Sequence, residues 1–326
     1  MVVFAIEYLV IPQIAGARKA LEVLGDVRPE YLAAGAALQV AAVVAYGALT
    51  RSVLPRAGRP SLWTLVRIDT TTLGVSHIVP GGAATAGALR FKLLMAAGVR
   101  APDAAFGAAV QGVGSAIVLN VLLWMGLVVS IPLRGFDPLY GTAAGAGALL
   151  IAGGVIAVLM LTRGQESSVR VVRAVARRVP MVSEDLAERF VRSTAARLVE
   201  LARDRAMLAQ AVIWALLNWL LDAASLWVFV LAYGHQLDLD GLIVAFGLAN
   251  VLAALPLTPG GLGIVEGVLV PSIVGFGTPR GIALLGVVSY RLVNFWLPIP
   301  VAALAYLSLR SDRAHLPDKW SGLLRR

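Results

Sequence analysis

The sequence predicts an all-α fold: a polytopic membrane bundle of helices with two re-entrant, broken hairpins arranged as an inverted repeat. Three observations lead there. The 326 residues are 59% hydrophobic and 14% charged, with a mean hydropathy of +0.81, whereas soluble domains are about 45–50% apolar and about 25% charged. Apolar stretches long enough to span a bilayer, which takes about 20 residues, recur at 31–49, 104–131, 140–161, 208–233 and 282–309. Two further apolar regions, 62–98 and 241–274, are interrupted by Pro-Gly-Gly, at Pro80, Gly81, Gly82 and at Pro259, Gly260, Gly261.

The N-terminal run 1–14 contains Glu7 and lacks a basic start and a small-residue cleavage site, so it does not read as a signal peptide. It reads as a shortened or a truncated first helix. After the span 31–49, Arg51, Arg56 and Arg59 mark a loop on the cytoplasmic side, because such loops favour Lys and Arg. The largest polar segment, 163–205, carries ten arginines against six acids and is the best cytoplasmic loop. Within it Ser183 is an N-cap, with Glu184 and Asp185 in the first turn. Leu186, Phe190, Val191, Leu198 and Leu201 then share one helical face, opposite Glu188, Arg189, Arg192 and Arg203. That helix either lies at the inner membrane surface or packs on the protein's own cytoplasmic side. The chain is thus one transmembrane domain over 1–326, with halves at 31–162 and 207–310 joined by the basic segment 163–206. Its C-terminus is cytoplasmic, in a bacterial plasma membrane.

Parity places the two broken regions. Between the Arg51–Arg59 loop and the basic segment, 104–131 and 140–161 supply two crossings, so 62–98 must leave and return to the cytoplasm. From the basic segment to the tail, 208–233 goes out and 282–309 comes back, so 241–274 must leave and return to the outer side. In both regions the Pro-Gly-Gly is followed, after fifteen intervening residues, by glycine (Gly98 and Gly277), then by proline (Pro102 and Pro279) and a long apolar helix. With 16 Pro and 33 Gly, chance supplies about 0.16 such triplets, so a matched pair points to an internal repeat. Inverted repeats with interrupted helices near the midplane are a transporter signature.

Non-helical backbone at membrane depth survives only when it is buried in protein or lines a wet cavity. Either the second half-helix presents unpaired N–H groups to such a cavity, or the region is a kinked, tightly packed helix helped by Gly263 and Gly267 at GxxxG spacing. Ionisable residues in this setting are functional candidates by default. Glu266 lies five residues beyond Gly261, and Arg291 lies inside the last span beside Tyr290. Asp222 is mid-span with Asn218 one turn before it; Asp69 and His77 precede the first break, and Arg90 and Lys92 follow it. Asn120, Asn250 and Asn294 add uncharged polar groups. The bland readings stand beside these: a structural Glu266–Arg291 pair, Asp222 paired to a neighbouring helix, His77 as a hydrogen-bonded packing residue, and Arg90 and Lys92 snorkelling to the interface.

Other chemistry finds no support. There is no cysteine, which excludes disulfides and thiolate sites. No GxxxxGK[ST] phosphate loop, HExxH zinc motif or GxSxG elbow occurs. "DLD" at Asp238–Asp240 imitates a metal-binding DxD but reads as a solvated loop. The +9 net charge reflects cytoplasmic loops rather than nucleic-acid binding. No metal or cofactor is expected, and no catalysis.

The stretches "PLTPGGLGIVEGVLVPSIVGFG" and "SYRLVNFWLPIPVAAL", with "SHIVPGGAATAGALRFKLLMAAG" in the first half, resemble the lysylphosphatidylglycerol synthase transmembrane-domain family of flippase-like membrane proteins, and actinobacterial members in particular. The resemblance implies a helical bundle with two re-entrant hairpins. Glu266 and Arg291 match the family's buried acid and arginine, and Arg90 its basic residue after the first break. Two departures stand out. Many members carry Gly-Glu shortly after the first break, where this chain has Ala86-Gly87; Asp69 is a substitute whose alignment the sequence leaves open. Bifunctional members add a large aminoacyltransferase domain, whereas about fifteen residues follow the last span here, too few for a domain.

The expected function is therefore a flippase for a phosphate-bearing polar lipid, a phospholipid or a polyprenyl-phosphate-linked lipid. Substrate would meet Pro80, Gly81, Gly82, Arg90, Pro259, Gly260, Gly261, Glu266, Tyr290 and Arg291, with Asp69, His77 and Asp222 for coupling or charge pairing. The alternative is a non-transporting partner or regulator of a lipid or cell-wall glycosyltransferase. Expected partners are membrane lipids, and a second copy of the chain or a lipid-modifying enzyme.

Overall fold

A computed structural model describes residues 28–79, 82–134, 203–254 and 258–314, with isolated positions between 141 and 201. The N-terminal run, Pro80 and Gly81, most of the 140–161 span, most of the basic segment with its amphipathic face, and the tail lie outside the described residues.

Each helix begins and ends for a local reason. Pro29 opens α1 (Pro29–Val53), where its fixed φ suits a first turn. Ser61 caps α2 (Leu62–Ile78), its hydroxyl accepting from the Thr64 N–H at 3.1 Å. Beyond the first break, α3 (Gly82–Ala96) stops at Gly98, whose φ of 90° closes the helix with a Val99 N–H to Leu94 carbonyl bond of 3.1 Å. A rod follows: α4 (Ala101–Ala109), a π-helical turn at Val110–Gly114, and α5 (Ser115–Arg134).

The second half repeats this order. Asp204 caps α6 (Arg205–Ala232) by accepting from the Ala206 and Met207 N–H groups, each at 3.0 Å. Then come α7 (Leu239–Ala253), a 3₁₀ turn at Pro259–Gly261, and α8 (Ile264–Gly275). Gly277, with φ 95°, ends α8 as Gly98 ends α3, here through Thr278 N–H to the Ile273 carbonyl at 3.2 Å. The second rod is α9 (Arg280–Arg291), a π-helical turn at Leu292–Trp296, and α10 (Pro298–Ala314). Among the described residues there is no strand.

Packing between the halves is reciprocal. α1 runs along α6, while α2 lies on α10 and α7 lies on α5. The first arm of each hairpin thus docks on the far part of the other half's rod. Small residues permit the approach. A Cβ at Gly74 would come within 2.3 Å of the Ala302 Cβ, and one at Gly247 within 3.0 Å of the Leu123 Cβ. The largest apolar core joins α5 to α9 through Leu123, Leu226, Phe229, Phe246 and Val287.

Among the described residues four segments are long and apolar enough to cross a membrane: Pro29–Val53, Ala101–Leu133, Arg205–Ala232 and Arg280–Ser311. They coincide with four of the five predicted spans. Their outward faces carry exposed Val128, Leu133, Ile213 and Leu304, while charged side chains turn inward. An apolar outside around a polar inside is what hydrocarbon imposes on a spanning protein.

Candidate functional site at the two helix breaks

The second break is built by backbone that only glycine adopts readily. Gly260, Gly261 and Gly263 have φ of 54°, 69° and 81°. A Cβ at Gly260 would also lie 2.5 Å from Phe295 and 2.7 Å from His77. The turn therefore sits against the last part of α2, just short of the first break, and the two breaks are neighbours. Gly82, which opens α3, is pressed so close to α2 that a Cβ there would meet the Ser76 carbonyl at 2.1 Å.

His77 is buried in this junction. Its ring stacks on Phe295 at 4.4 Å, and Nδ1 lies 2.9 Å from the Phe295 carbonyl oxygen. That is the arrangement of a hydrogen-bonded packing residue.

Glu266 and Arg291 form the ion pair across α8 and α9. Arg291 Nε donates to Glu266 Oε1 at 2.5 Å, Nη2 donates to the Gly260 carbonyl at 3.4 Å, and the guanidinium lies 4.5 Å over the Phe295 ring. The other carboxylate oxygen of Glu266 accepts from the Gly263 N–H at 2.7 Å. Arg291 is buried, but the Glu266 side chain keeps 28% of its surface. The pair thus has one open side. Gly263 and Gly267 adjoin open space, with no atom within 4 Å of a built Cβ. Within this chain, then, neither glycine of that GxxxG pair is in close helix contact among the described residues. Pro271 adds polarity there, since it brings no N–H to the Gly267 carbonyl one turn earlier.

The unpaired N–H groups expected at the second half-helix lie beyond the break itself. The Gly261 N–H donates to the Thr258 carbonyl, the Leu262 N–H to Pro259, and the Gly263 N–H to Glu266. These three donors are satisfied locally, and α8 starts at Ile264. The groups without an intrahelical acceptor are the first-turn amides of α8.

Beside this pair, Asp222 on α6 gathers three donors on Oδ1: Gln39 Nε2 at 2.6 Å, the Tyr290 hydroxyl at 2.9 Å and Asn294 Nδ2 at 3.1 Å. Tyr290 is buried and its hydroxyl serves Asp222. The neighbouring helices that answer Asp222 are α1, through Gln39, and α9, through Tyr290.

The first hairpin has its own buried pair. Arg90 on α3 is bonded to Asp69 on α2, and also donates to Thr72 Oγ1 at 3.3 Å. Its guanidinium lies 5.1 Å over the Tyr46 ring. Gln111, in the first π-helical turn, donates to Asp69 Oδ2 at 3.1 Å and to the Tyr46 carbonyl at 2.9 Å. Arg90 is 6% exposed, so it does not snorkel, and Asp69 is the acid that pairs with it. Gln39, Tyr46 and Gln111 were missed in the sequence; an isolated Gln in an apolar span was the available signal. Pro80 and Gly81 lie outside the described residues. Among the described residues no group of three or more His, Asp or Glu side chains converges to hold a metal ion.

Apolar rods facing outward, with ion pairs and amides gathered inward around interrupted helices, define a polytopic helical integral membrane protein. The chain belongs to the family described as the lysylphosphatidylglycerol synthase TM region, whose sequence model matches residues 2–302. It is similar to a UPF0104 membrane protein of Methanothermobacter thermautotrophicus, with 30% identity over 92 residues, covering 28% of each chain. It is also similar to the inner membrane protein YbhN of Escherichia coli K12, with 26% identity over 102 residues, covering 31% of each. The matched part is therefore less than a third of these curated relatives' length.

Proposed function

We propose that this chain moves a phosphate-bearing polar lipid, a phospholipid or a polyprenyl-phosphate-linked lipid, between the leaflets of a bacterial plasma membrane. In this reading the two hairpins are re-entrant, enter from opposite faces as an inverted repeat, and meet at their breaks. The polar headgroup enters the space beside Gly263 and Gly267, while the acyl chains stay among the outer apolar helices. Arg291 and the first-turn amides of α8 attract the phosphate, and Glu266 suits an amino or hydroxyl substituent. Asp69, Arg90 and Asp222 balance charge, and no bond is made or broken. The C-terminus is cytoplasmic, and the whole chain acts as one domain.

The observation that carries this reading is the one-sided Glu266–Arg291 pair: an ion pair fixed at a helix break, with open space on the carboxylate side. The open side leaves a carboxylate oxygen within reach of a headgroup, while the buried guanidinium stays compensated by its partner.

The test is reconstitution into liposomes with fluorescent lipids of anionic, zwitterionic and neutral headgroup. Wild type should move the phosphate-bearing lipids between leaflets, and Glu266→Gln and Arg291→Met should each abolish the movement. Transport at wild-type rate by both folded variants would remove the site assignment. No movement of any lipid by wild type would favour a partner or regulator of a lipid-modifying enzyme.

A further inference from the structure

A second polar space lies away from the breaks, at the end of the bundle where α1 stops and α6 starts. It is a cavity of about 250 Å³. Arg56 and Arg59 of the α1–α2 loop and Arg197 of the segment before α6 stand around it, over apolar surface from Val53, Phe106 and Met207. Its two acids are already committed. Glu200 is bonded to Arg197 at 2.6 Å, and Asp204 caps α6. Arg197 also reaches Asp103, which is buried under the cavity and held on its other oxygen by Arg100. Arg59 gives one N–H to the Arg51 carbonyl at 3.1 Å and keeps its other donors. Arg56 is exposed and has no hydrogen-bond or ion-pair partner among the described residues.

One guanidinium, and most of a second, thus stands uncommitted around a largely polar hollow with apolar side chains at its edge. Guanidinium groups pair with phosphate through two parallel N–H donors. The cavity also lies level with the ends of two membrane-crossing helices, α1 and α6, the depth at which lipid phosphates sit. We infer that this cavity is a phosphate-binding site, distinct from the space at the breaks, that holds the headgroup of an anionic phospholipid with the start of a chain against Phe106 and Met207. The inference does not rest on the transport reading, since none of its residues touches the Glu266–Arg291 pair.

Isothermal titration of the full chain in neutral detergent tests it, with short-chain phosphatidylglycerol, short-chain diacylglycerol and inorganic phosphate as probes. Phosphatidylglycerol should bind saturably, and Arg56→Gln and Arg59→Gln should each weaken it about tenfold, the scale of one charge-assisted hydrogen bond. Arg56→Lys should keep part of the affinity. The double variant Glu266→Gln with Arg291→Met should leave this binding intact, which separates it from a lipid held at the breaks. Inorganic phosphate binding as tightly as the lipid, with the same arginine dependence, would assign the site to a soluble phosphate instead. Unchanged binding in both arginine variants, or equal binding of diacylglycerol, overturns the proposal. Arg56 is exposed and unpartnered, so its variants should elute as wild type does on gel filtration.

Discussion

Asp69 and Arg90, twenty-one positions apart, form a buried ion pair that ties the two arms of the first hairpin together about two turns from its break. Leaving one buried charge alone costs about 3–5 kcal/mol, whereas removing both together is far milder. Asp69→Asn and Arg90→Met should therefore each lower the unfolding free energy by about that amount, and the double variant should lose much less than the sum. Denaturant titration in detergent, read by tryptophan fluorescence, measures the cycle. Additive losses would show that the pair does not act as a unit.

The glycines of the second hairpin should separate by environment. Gly260→Ala meets both a φ of 54° and close contact with Phe295 and His77, and should lose about 1–3 kcal/mol or more. Gly263→Ala, with φ 81° but open surroundings, should lose only the backbone strain, about 1 kcal/mol. Gly267→Ala is helical and unobstructed, so it should be neutral or stabilising by up to about 1 kcal/mol. Thermal unfolding of the three variants gives the ranking, and a Gly267→Ala loss as large as that of Gly260→Ala would contradict it.

Because the chain has no cysteine, single introduced thiols report on water directly. Gly267→Cys should react quickly with a membrane-impermeant reagent, while Ala249→Cys, at a position with 0% exposure, should stay unlabelled. Cysteines at Gly98 and Gly277, the matched helix ends, should label from opposite faces of oriented vesicles. Labelling of both from one face would refute the inverted arrangement.

Asp222 offers a further contrast between charge and shape. Asp222→Asn keeps a carbonyl oxygen for Gln39, Tyr290 and Asn294, whereas Asp222→Leu leaves three donors without their acceptor. An unsatisfied buried polar group costs about 1–3 kcal/mol, so Leu should be clearly the more destabilising. Equal stability of the two variants, measured by unfolding in detergent, would show that these bonds carry no weight.

Much of this was legible in the sequence, and the reasons are physical. The spans read cleanly because hydrocarbon admits little else, and the paired Pro-Gly-Gly breaks read because proline and glycine are poor helix residues. Glu266 and Arg291 were visible as costly charges, and they do meet. The Asp69–Arg90 pair was not legible, since it depends on how two arms fold back at a break whose angle no periodicity reveals. The start of α8 could not be read from the sequence, because three positive-φ glycines extend the break as far as Gly263. Gln111 escaped notice for a subtler reason. Its place beside Asp69 follows from a π-helical turn, and hydropathy carries no trace of one residue too many in a turn.

Those two π-helical turns, Val110–Gly114 and Leu292–Trp296, each hold a spare residue within an otherwise regular rod. One α-helical residue corresponds to about 100° of rotation and about 1.5 Å of rise. Each rod therefore contains a vernier: if the wide turn tightens into a regular α-helical one, everything beyond it rotates as a piece while the ladders on either side keep their bonds. In the second rod the piece beyond is α10, the seat of α2; in the first it is α5, the seat of α7. A one-notch turn of either rod would carry the other half's hairpin with it, so the two breaks are geared to each other through the helices they rest on.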